Sequence, residues 1–93
     1  MAYAANKKSK YVYTIEDIPL VPLTETSSTR FVAADGALLS FIQNPPGAVF
    51  PMHSHDAVQI LIILEGTEEH VCGDEKFTME AGDVCIHPAN MVH

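Results

Sequence analysis

The chain has 93 residues and a formal net charge of −7, with five lysines and arginines against twelve aspartates and glutamates. This length suits one domain, and the acidic balance argues against a nucleic-acid-binding surface. The apolar fraction of 47% is typical of a folded globular protein. Without a long apolar span or a secretory signal in the sequence, we predict a soluble, cytoplasmic protein that does not contact a membrane.

The first half of the chain predicts a tail and a hairpin. Residues 1–10 are expected to form a mobile N-terminal tail, followed by one domain over residues 11–93. Alternating aromatic and β-branched residues predict a strand at 11–15. The apolar runs 30–34 and 37–43 flank an Asp-Gly pair, which predicts a tight hairpin turn because both residue types accept positive φ.

The second half shows short apolar runs separated by glycine and proline. We predict strands at residues 49–55, 58–64, 67–72, 76–79 and 84–87. A proline at position 51 places the first of them at an edge or a bulge. With no helical periodicity, this spacing predicts an all-β fold, either a small antiparallel β-barrel or a double-sheet jelly roll.

The run Ile60–Leu64 is apolar on both faces of its predicted strand. One face is expected to line the interior, and the other needs cover. A second subunit would supply it, so we expect a homodimer with a twofold interface. The alternative cover is the predicted strand at residues 11–15.

The sequence also predicts a cluster of ligand atoms. His53 and His55 are two residues apart, so in an extended strand both imidazoles point to the same face. Gln59 follows at the start of the apolar run, where a buried amide needs a polar partner. A shared metal ion would satisfy all three side chains; the simpler alternative is a pair of surface histidines.

Other polar residues are interpreted more simply. Cys72 and Cys85 are too far apart for a CxxC motif and are expected to be small buried residues. His70 lies in a Glu-Glu-His segment and is expected on a solvated edge. His87 is either an ordinary half-buried strand residue or an acid–base residue, since its ordinary pKa is close to neutrality.

The final segment, residues 82–93, begins with a glycine, contains a proline at position 88 and ends with a histidine. Asn90 occupies a turn position that requires positive φ, which asparagine accepts more readily than other non-glycine residues. Together with the earlier histidines, this segment resembles the two sequence motifs of the cupin superfamily. The motif positions are occupied by Gly47, His53, His55, Gln59, Gly66, Gly82, Pro88, Asn90 and His93.

Two of these residues depart from the cupin pattern. Gln59 stands at the position of a glutamate, and Asn90 stands at the position of a glycine. The resemblance implies a small β-barrel that holds one divalent transition metal (Zn, Fe, Ni, Mn or Cu) through His53, His55, Gln59 and His93. Cupin barrels continue for several strands beyond the histidine of the second motif, so the resemblance also implies a barrel that is incomplete at its C-terminus or is completed by another segment. A neutral Gln ligand leaves more positive charge on the metal than a carboxylate does, which favours Lewis-acid chemistry.

The ligand set is similar to that of small cupins acting on unsaturated uronates. It therefore implies a metal-dependent isomerase or lyase acting on a small sugar acid or oxo-acid, with His87 as the candidate acid–base residue. Two alternatives stay open. One is an Fe(II) or Ni(II) dioxygenase, and the other is a non-catalytic ligand-binding module, such as the sensor half of a regulator.

Overall fold

A computed structural model of the chain describes residues 8–93. Residues 1–7 of the predicted tail lie outside the described residues. Within the described range there are seven strands and one short 3-10 helix. They are Ile15–Asp17 (3-10), β1 Val21–Pro22, β2 Ser28–Ala34, β3 Ala37–Gln43, β4 Gln59–Ile62, β5 Thr67–Cys72, β6 Glu75–Glu80 and β7 Val84–His87.

All strand pairs are antiparallel. This confirms the predicted all-β class and agrees with a small jelly-roll fold of the cupin type. The chain divides into two compact units, one ending at Phe50 and the other spanning Pro51–His93. Within residues 8–93 there is no helix with the length and apolar character needed to cross a bilayer.

The first unit contains a three-stranded sheet in the order β1-β2-β3. The predicted hairpin is confirmed: Ala34 pairs with Ala37, leaving Asp35 and Gly36 as the loop. Gly36 has a φ of 75°, whereas Asp35 is not among the residues with positive φ. The turn therefore uses the left-handed region at its glycine and not, as expected, at both positions.

Two predicted strands are wrong. Residues 11–15, all within the described range, form no strand; a turn and the start of the 3-10 helix occupy them, and the amide of Asp17 donates to the Thr14 carbonyl at 3.0 Å. Residues 49–55 likewise contain no strand within the described chain. Pro51 cannot donate a backbone hydrogen bond, which disfavours a regular ladder at this position.

The second unit contains two two-stranded sheets, β4-β7 and β5-β6. The predicted strands 67–72 and 84–87 are confirmed as β5 and β7, and those at 58–64 and 76–79 are confirmed with shifted ends. Beyond β4, the Gly82 amide donates to the Ile63 carbonyl at 2.9 Å. The amide of Gly73, in the β5–β6 turn, donates to the Val92 carbonyl at 2.8 Å and so anchors the last segment of the chain.

The β4–β7 sheet has two different faces. Gln59 pairs with His87, and Leu61 pairs with Cys85; these side chains are buried or half-buried. The alternating residues on the other face are solvent-exposed: Ile60 65%, Ile62 55%, Val84 58% and Ile86 61%. Within the second unit, the apolar run is therefore covered on one face only. The strand at residues 11–15 that was the alternative cover does not form in the described structure.

Candidate functional site

The two motif segments meet through backbone hydrogen bonds. The amide of His53 donates to the carbonyl of His93, and the amide of His93 donates back to the carbonyl of His53, each at 2.9 Å. In β4 and β7, Gln59 pairs with His87. Six residues before Gln59 is position 53 and six residues after His87 is position 93, so His53 and His93 keep the same register beyond the two strands. Such reciprocal bonding places paired side chains on the same side of the sheet. The last residue is therefore held firmly beside the first motif.

Asn90 supports the same arrangement. Its φ of 66° confirms the predicted left-handed conformation. Its amide donates to the carbonyl of His55 at 2.7 Å, which connects the turn of the second motif to the second histidine of the first. The unusual backbone conformation at Asn90 thus helps to position a candidate ligand.

The structure brings the three predicted histidines together. One side-chain nitrogen from each of His53, His55 and His93 lies within 4.8 Å of the others. The ring centroids are 4.4 Å apart for His53 and His93, 4.8 Å for His55 and His93, and 5.7 Å for His53 and His55. Residues that are about 40 positions apart in sequence thus converge on one point.

Backbone carbonyls fix the hydrogen positions on these three imidazoles. Because a carbonyl oxygen only accepts, the facing Nδ1 atom must carry the hydrogen, and a neutral ring then leaves Nε2 with a free lone pair. Such outer hydrogen bonds orient histidine ligands in metal sites. The Nδ1 contacts are His53 to Pro51 O at 2.9 Å, His55 to Ala57 O at 2.8 Å and His93 to Met91 O at 2.9 Å.

Two of the resulting Nε2 atoms lack a suitable partner. The His93 ring is 8% exposed, and its buried Nε2 has no hydrogen-bond partner among the described residues. His55 Nε2 lies 3.1 Å from Oε1 of Gln59. With His55 Nδ1 already donating, these two facing atoms are both acceptors, so either a cation lies between them or the amide turns its nitrogen inward.

The donor set fits a divalent transition metal. Three imidazole nitrogens converge, and the amide oxygen of Gln59 lies beside one of them, that of His55. Imidazole suits Zn, Cu, Fe and Ni, and a shared cation would satisfy both the buried nitrogen of His93 and the acceptor pair of His55 and Gln59.

His87, the predicted acid–base residue, lies beside this cluster. It is fully buried, and its ring stacks on that of His93 with centroids 4.1 Å apart. Burial, followed by the neighbouring rings of His93, His70, His55 and His53, lowers the pKa of His87 from 6.5 to about 4. The His87 ring is therefore neutral near pH 7.

His70 does not lie on a solvated edge, so that prediction is wrong. Its side chain is 14% exposed, and its Nδ1 lies 2.9 Å from Oε1 of Glu68. Its Nε2 lies 2.6 Å from Nε2 of His87, and the planes of the two rings are within 4° of parallel, so the rings meet edge to edge. The period of two along β5 could have predicted this, since Glu68 and His70 share the inner face while Thr67 and Glu69 are exposed.

A second group of ligand atoms therefore exists that sequence reasoning missed. One atom from each of His70, Cys85 and His87 lies within 4.8 Å of the others. Both cysteines are half-buried free thiols in the described chain, which differs from the full burial expected. Burial and the neighbouring Cys72 raise the pKa of the Cys85 thiol, and the Cys72 thiol donates to Sδ of Met91 at 3.3 Å.

Comparison with known proteins identifies the class to which this fold and site belong. Residues 35–93 match the family described as the AraC-like ligand-binding domain. The chain belongs to this family, which agrees with the cupin-like architecture and with the resemblance in the two motifs.

The similar proteins are named as regulators. The chain is 32% identical over 64 residues to the HTH-type transcriptional activator RhaS of Yersinia pestis (strain Pestoides F) and to that of Yersinia pseudotuberculosis serotype O:1b (strain IP 31758). The aligned region is 69% of this chain but 23% of each relative, so the chain spans about a quarter of the curated relatives it matches. No solved structure matches the chain.

Proposed function

We propose that this chain is a non-catalytic sensor domain that binds a small oxygen-rich molecule, such as a sugar, at the site formed by His53, His55, Gln59 and His93. The observation that carries the proposal is the convergence of the three imidazoles, one of which, His93, has a buried Nε2 without a hydrogen-bond partner among the described residues. Membership of the AraC-like ligand-binding family supports a receptor, and the relatives are named transcriptional activators.

The site suits a divalent transition metal, for which His53, His55, Gln59 and His93 are the proposed ligands. When bound, such an ion would supply a Lewis-acidic contact for hydroxyl, carbonyl or carboxylate oxygens. Since imidazole and amide ligands add no negative charge, the charge of the ion would be retained, which favours an oxygen-rich or anionic partner. The backbone carbonyls that hold the Nδ1 hydrogens keep the rings in place.

The enzyme hypotheses have less support. The isomerase or lyase and the dioxygenase both share this candidate metal site. However, His87 is fully buried, and its lowered pKa makes the ring both largely unprotonated near pH 7 and a weaker base than an ordinary histidine. The family of the chain and the names of its relatives favour binding over turnover.

The relatives also bear on nucleic acid. Those proteins are named HTH-type activators, and this chain corresponds to about a quarter of their length. We propose that the chain provides ligand recognition and that DNA contact, in a regulator of this kind, belongs to another region. The net charge of −7 supports this division, because an acidic surface is repelled by phosphates.

We also propose that the exposed face of the β4–β7 sheet packs against a second copy of the chain. Antiparallel register places Ile60 beside Ile86 and Ile62 beside Val84, which makes a continuous apolar patch. Such a patch is costly in water and is suited to a self-complementary twofold interface.

Sedimentation analysis tests the homodimer. The unchanged chain should sediment as a dimer and Ile60→Glu as a monomer, because a carboxylate would be buried at the interface. Val49→Glu is the control, since Val49 is exposed outside this sheet. A monomeric unchanged chain, or a dimer unaffected by Ile60→Glu, would contradict the proposal.

Calorimetric titration of the Zn²⁺-loaded chain with neutral sugars and sugar acids tests the sensor function. NMR of each compound after incubation with the chain then shows whether the compound has been converted. Saturable binding of at least one compound, with that compound recovered intact, is expected. His55→Ala should abolish this binding, whereas Glu69→Gln, on the exposed side of β5, should not. Chemical conversion of a compound would favour the enzyme hypotheses, and absence of binding across the panel would overturn the proposal.

A further inference from the structure

We propose that His70, Cys85 and His87 form a second metal site, distinct in its ligands from the three-histidine cluster and selective for a thiophilic cation such as Zn²⁺. The carrying observation is that these three side chains place ligand atoms within 4.8 Å of one another in the interior of the second unit. This site is independent of the proposed sensor function, because none of its ligands belongs to the sensor site.

Strand alternation creates the cluster. On β7, Cys85 and His87 are two residues apart and point to the same, buried side of the sheet. On β5, Glu68 and His70 have the same relationship. Two strands that belong to different sheets thus contribute one pair of inward-facing polar residues each, which is the arrangement that multi-strand metal sites require.

The hydrogen positions favour a ligand at His70. Its Nδ1 lies 2.9 Å from the carboxylate of Glu68, which can only accept when ionised, so the hydrogen is on Nδ1. The Nε2 atom of His70 then directs a lone pair at His87. A carboxylate behind a histidine ligand is the common outer-shell pattern of zinc sites, where it orients the ring and makes it more basic.

The state of His87 is the second, independent observation. Its ring is fully buried, one nitrogen meets His70 Nε2 at 2.6 Å, and the other nitrogen, Nδ1, has no hydrogen-bond partner among the described residues. A buried ring nitrogen without a partner costs free energy, and a metal ion at Nδ1 of His87 would remove that cost. The two Nε2 atoms at 2.6 Å form a hydrogen bond, so His70 must turn its Nε2 lone pair from this hydrogen to the ion when the metal binds.

Sulfur distinguishes this site from the first one. Cys85 would bind as a thiolate, so binding of M²⁺ releases the thiol proton to solvent, while His70 and His87 remain neutral. One thiolate and the nearby Glu68 carboxylate offset the charge of the ion. Thiolate and imidazole together favour Zn²⁺ or Cu⁺ over Mg²⁺ or Ca²⁺. Cys85 also lines a surface cleft with Phe77 and Met79, which gives an ion a route to the sulfur.

Titration with Co²⁺ under reducing conditions tests the proposal, because a Co²⁺–thiolate bond has an intense near-ultraviolet charge-transfer band that nitrogen and oxygen ligands do not produce. The unchanged chain should develop this band. Cys85→Ser should lose it and bind one equivalent of Co²⁺ fewer. Cys72→Ser is the matched control and should keep the band, since Cys72 lies outside the ligand group.

A second pair of variants separates this site from the sensor site. His53→Ala combined with His55→Ala should keep the thiolate band while losing the other equivalent of Co²⁺. His70→Ala should weaken the band even if Cys85→Ser fails to fold, and circular dichroism checks the fold of every variant. No band in the unchanged chain, a band that persists in Cys85→Ser, or a band lost equally in Cys72→Ser would overturn the assignment. Sugar binding in Cys85→Ser is expected to be unchanged.

Discussion

The two histidine clusters of the second unit differ in how their rings are held. In the cluster of His53, His55 and His93, every Nδ1 donates to a backbone carbonyl within two residues in sequence. In the other cluster, His70 is held by the side chain of Glu68, and the fully buried His87 is held by His70. Local backbone contacts orient the first cluster, whereas packing between strands orients the second.

This difference has consequences for access and chemistry. His53 is exposed and His55 half-buried, so the first cluster is open to a ligand from solvent. The second cluster contains the only thiol in either ligand group and has no exposed member within the described residues. An open, neutral, nitrogen-rich cluster is suited to reversible recognition, and a buried cluster with sulfur is suited to a permanently held ion.

The largest expected effect concerns the open cluster. His55→Ala should weaken Zn²⁺ binding there by more than the roughly 100-fold that loss of an outer-shell partner costs, because a direct ligand is removed. Competition against a chromophoric chelator measures this affinity in a Cys85→Ser background, which isolates the first cluster. Glu69→Gln in the same background is the control. If the Zn²⁺ affinity of the His55→Ala variant were within a few-fold of that of the Glu69→Gln control, the convergence of the three rings would have no role in binding.

The next effect concerns the buried cluster and pH. Because the pKa of His87 is lowered from 6.5 to about 4 in the folded chain, the unfolded chain binds more protons between these values. Stability of the metal-free chain should therefore be fully retained above about pH 6.5 and fall toward pH 4. The loss attributable to this ring is up to roughly 3 kcal/mol.

Urea unfolding of the metal-free chain across this pH range measures the effect, with His87→Gln as the comparison. The variant should show a smaller fall in the free energy of unfolding between pH 7 and pH 4 than the unchanged chain. His53→Gln is the comparison for an exposed ring, because among the neighbouring rings His53 contributes least to the lowered pKa of His87 and its replacement should change the fall least. Equal falls in His87→Gln and the unchanged chain would mean that the buried ring does not govern acid sensitivity.

The smallest effect tests the backbone that supports the open cluster. Asn90 has a φ of 66°, so Asn90→Ala should cost about 1 kcal/mol of stability, because alanine tolerates the left-handed region poorly. Asn90→Gly should be close to neutral or slightly stabilising. Thermal unfolding of both variants measures the difference. If Asn90→Ala were more stable than Asn90→Gly, this would contradict the left-handed conformation of residue 90.

Several features could be predicted because they depend on neighbouring residues. The hairpin around Asp35 and Gly36 follows from its turn residues, and the left-handed backbone at Asn90 follows from the tolerance of asparagine for positive φ. The sequence predicts the bounds of β5 and β7 correctly, because alternating residues and nearby glycines mark where these strands begin and end. The all-β class is the sum of such local signals.

Local signals also explain the errors. The sequence at residues 11–15 has strand-forming residue types, but a strand needs a partner, and in the described structure this segment forms a turn and the start of a 3-10 helix. Residues 49–55 were predicted as a strand despite Pro51, although His53 still forms backbone bonds with His93. Strand propensity describes how well a residue suits a β-sheet, but it does not show whether a partner strand is available for pairing.

The amino-acid pattern predicts the all-β class, the shared face of His53 and His55 and, through the cupin resemblance, the candidate role of His93. The pairing of His93 with His53, the inward position of His70 and the cluster of His70, Cys85 and His87 are visible only in the folded chain. The physical reason is that these relationships depend on register between strands distant in sequence. Periodicity determines on which face a side chain lies, but only pairing and packing determine which side chains it meets.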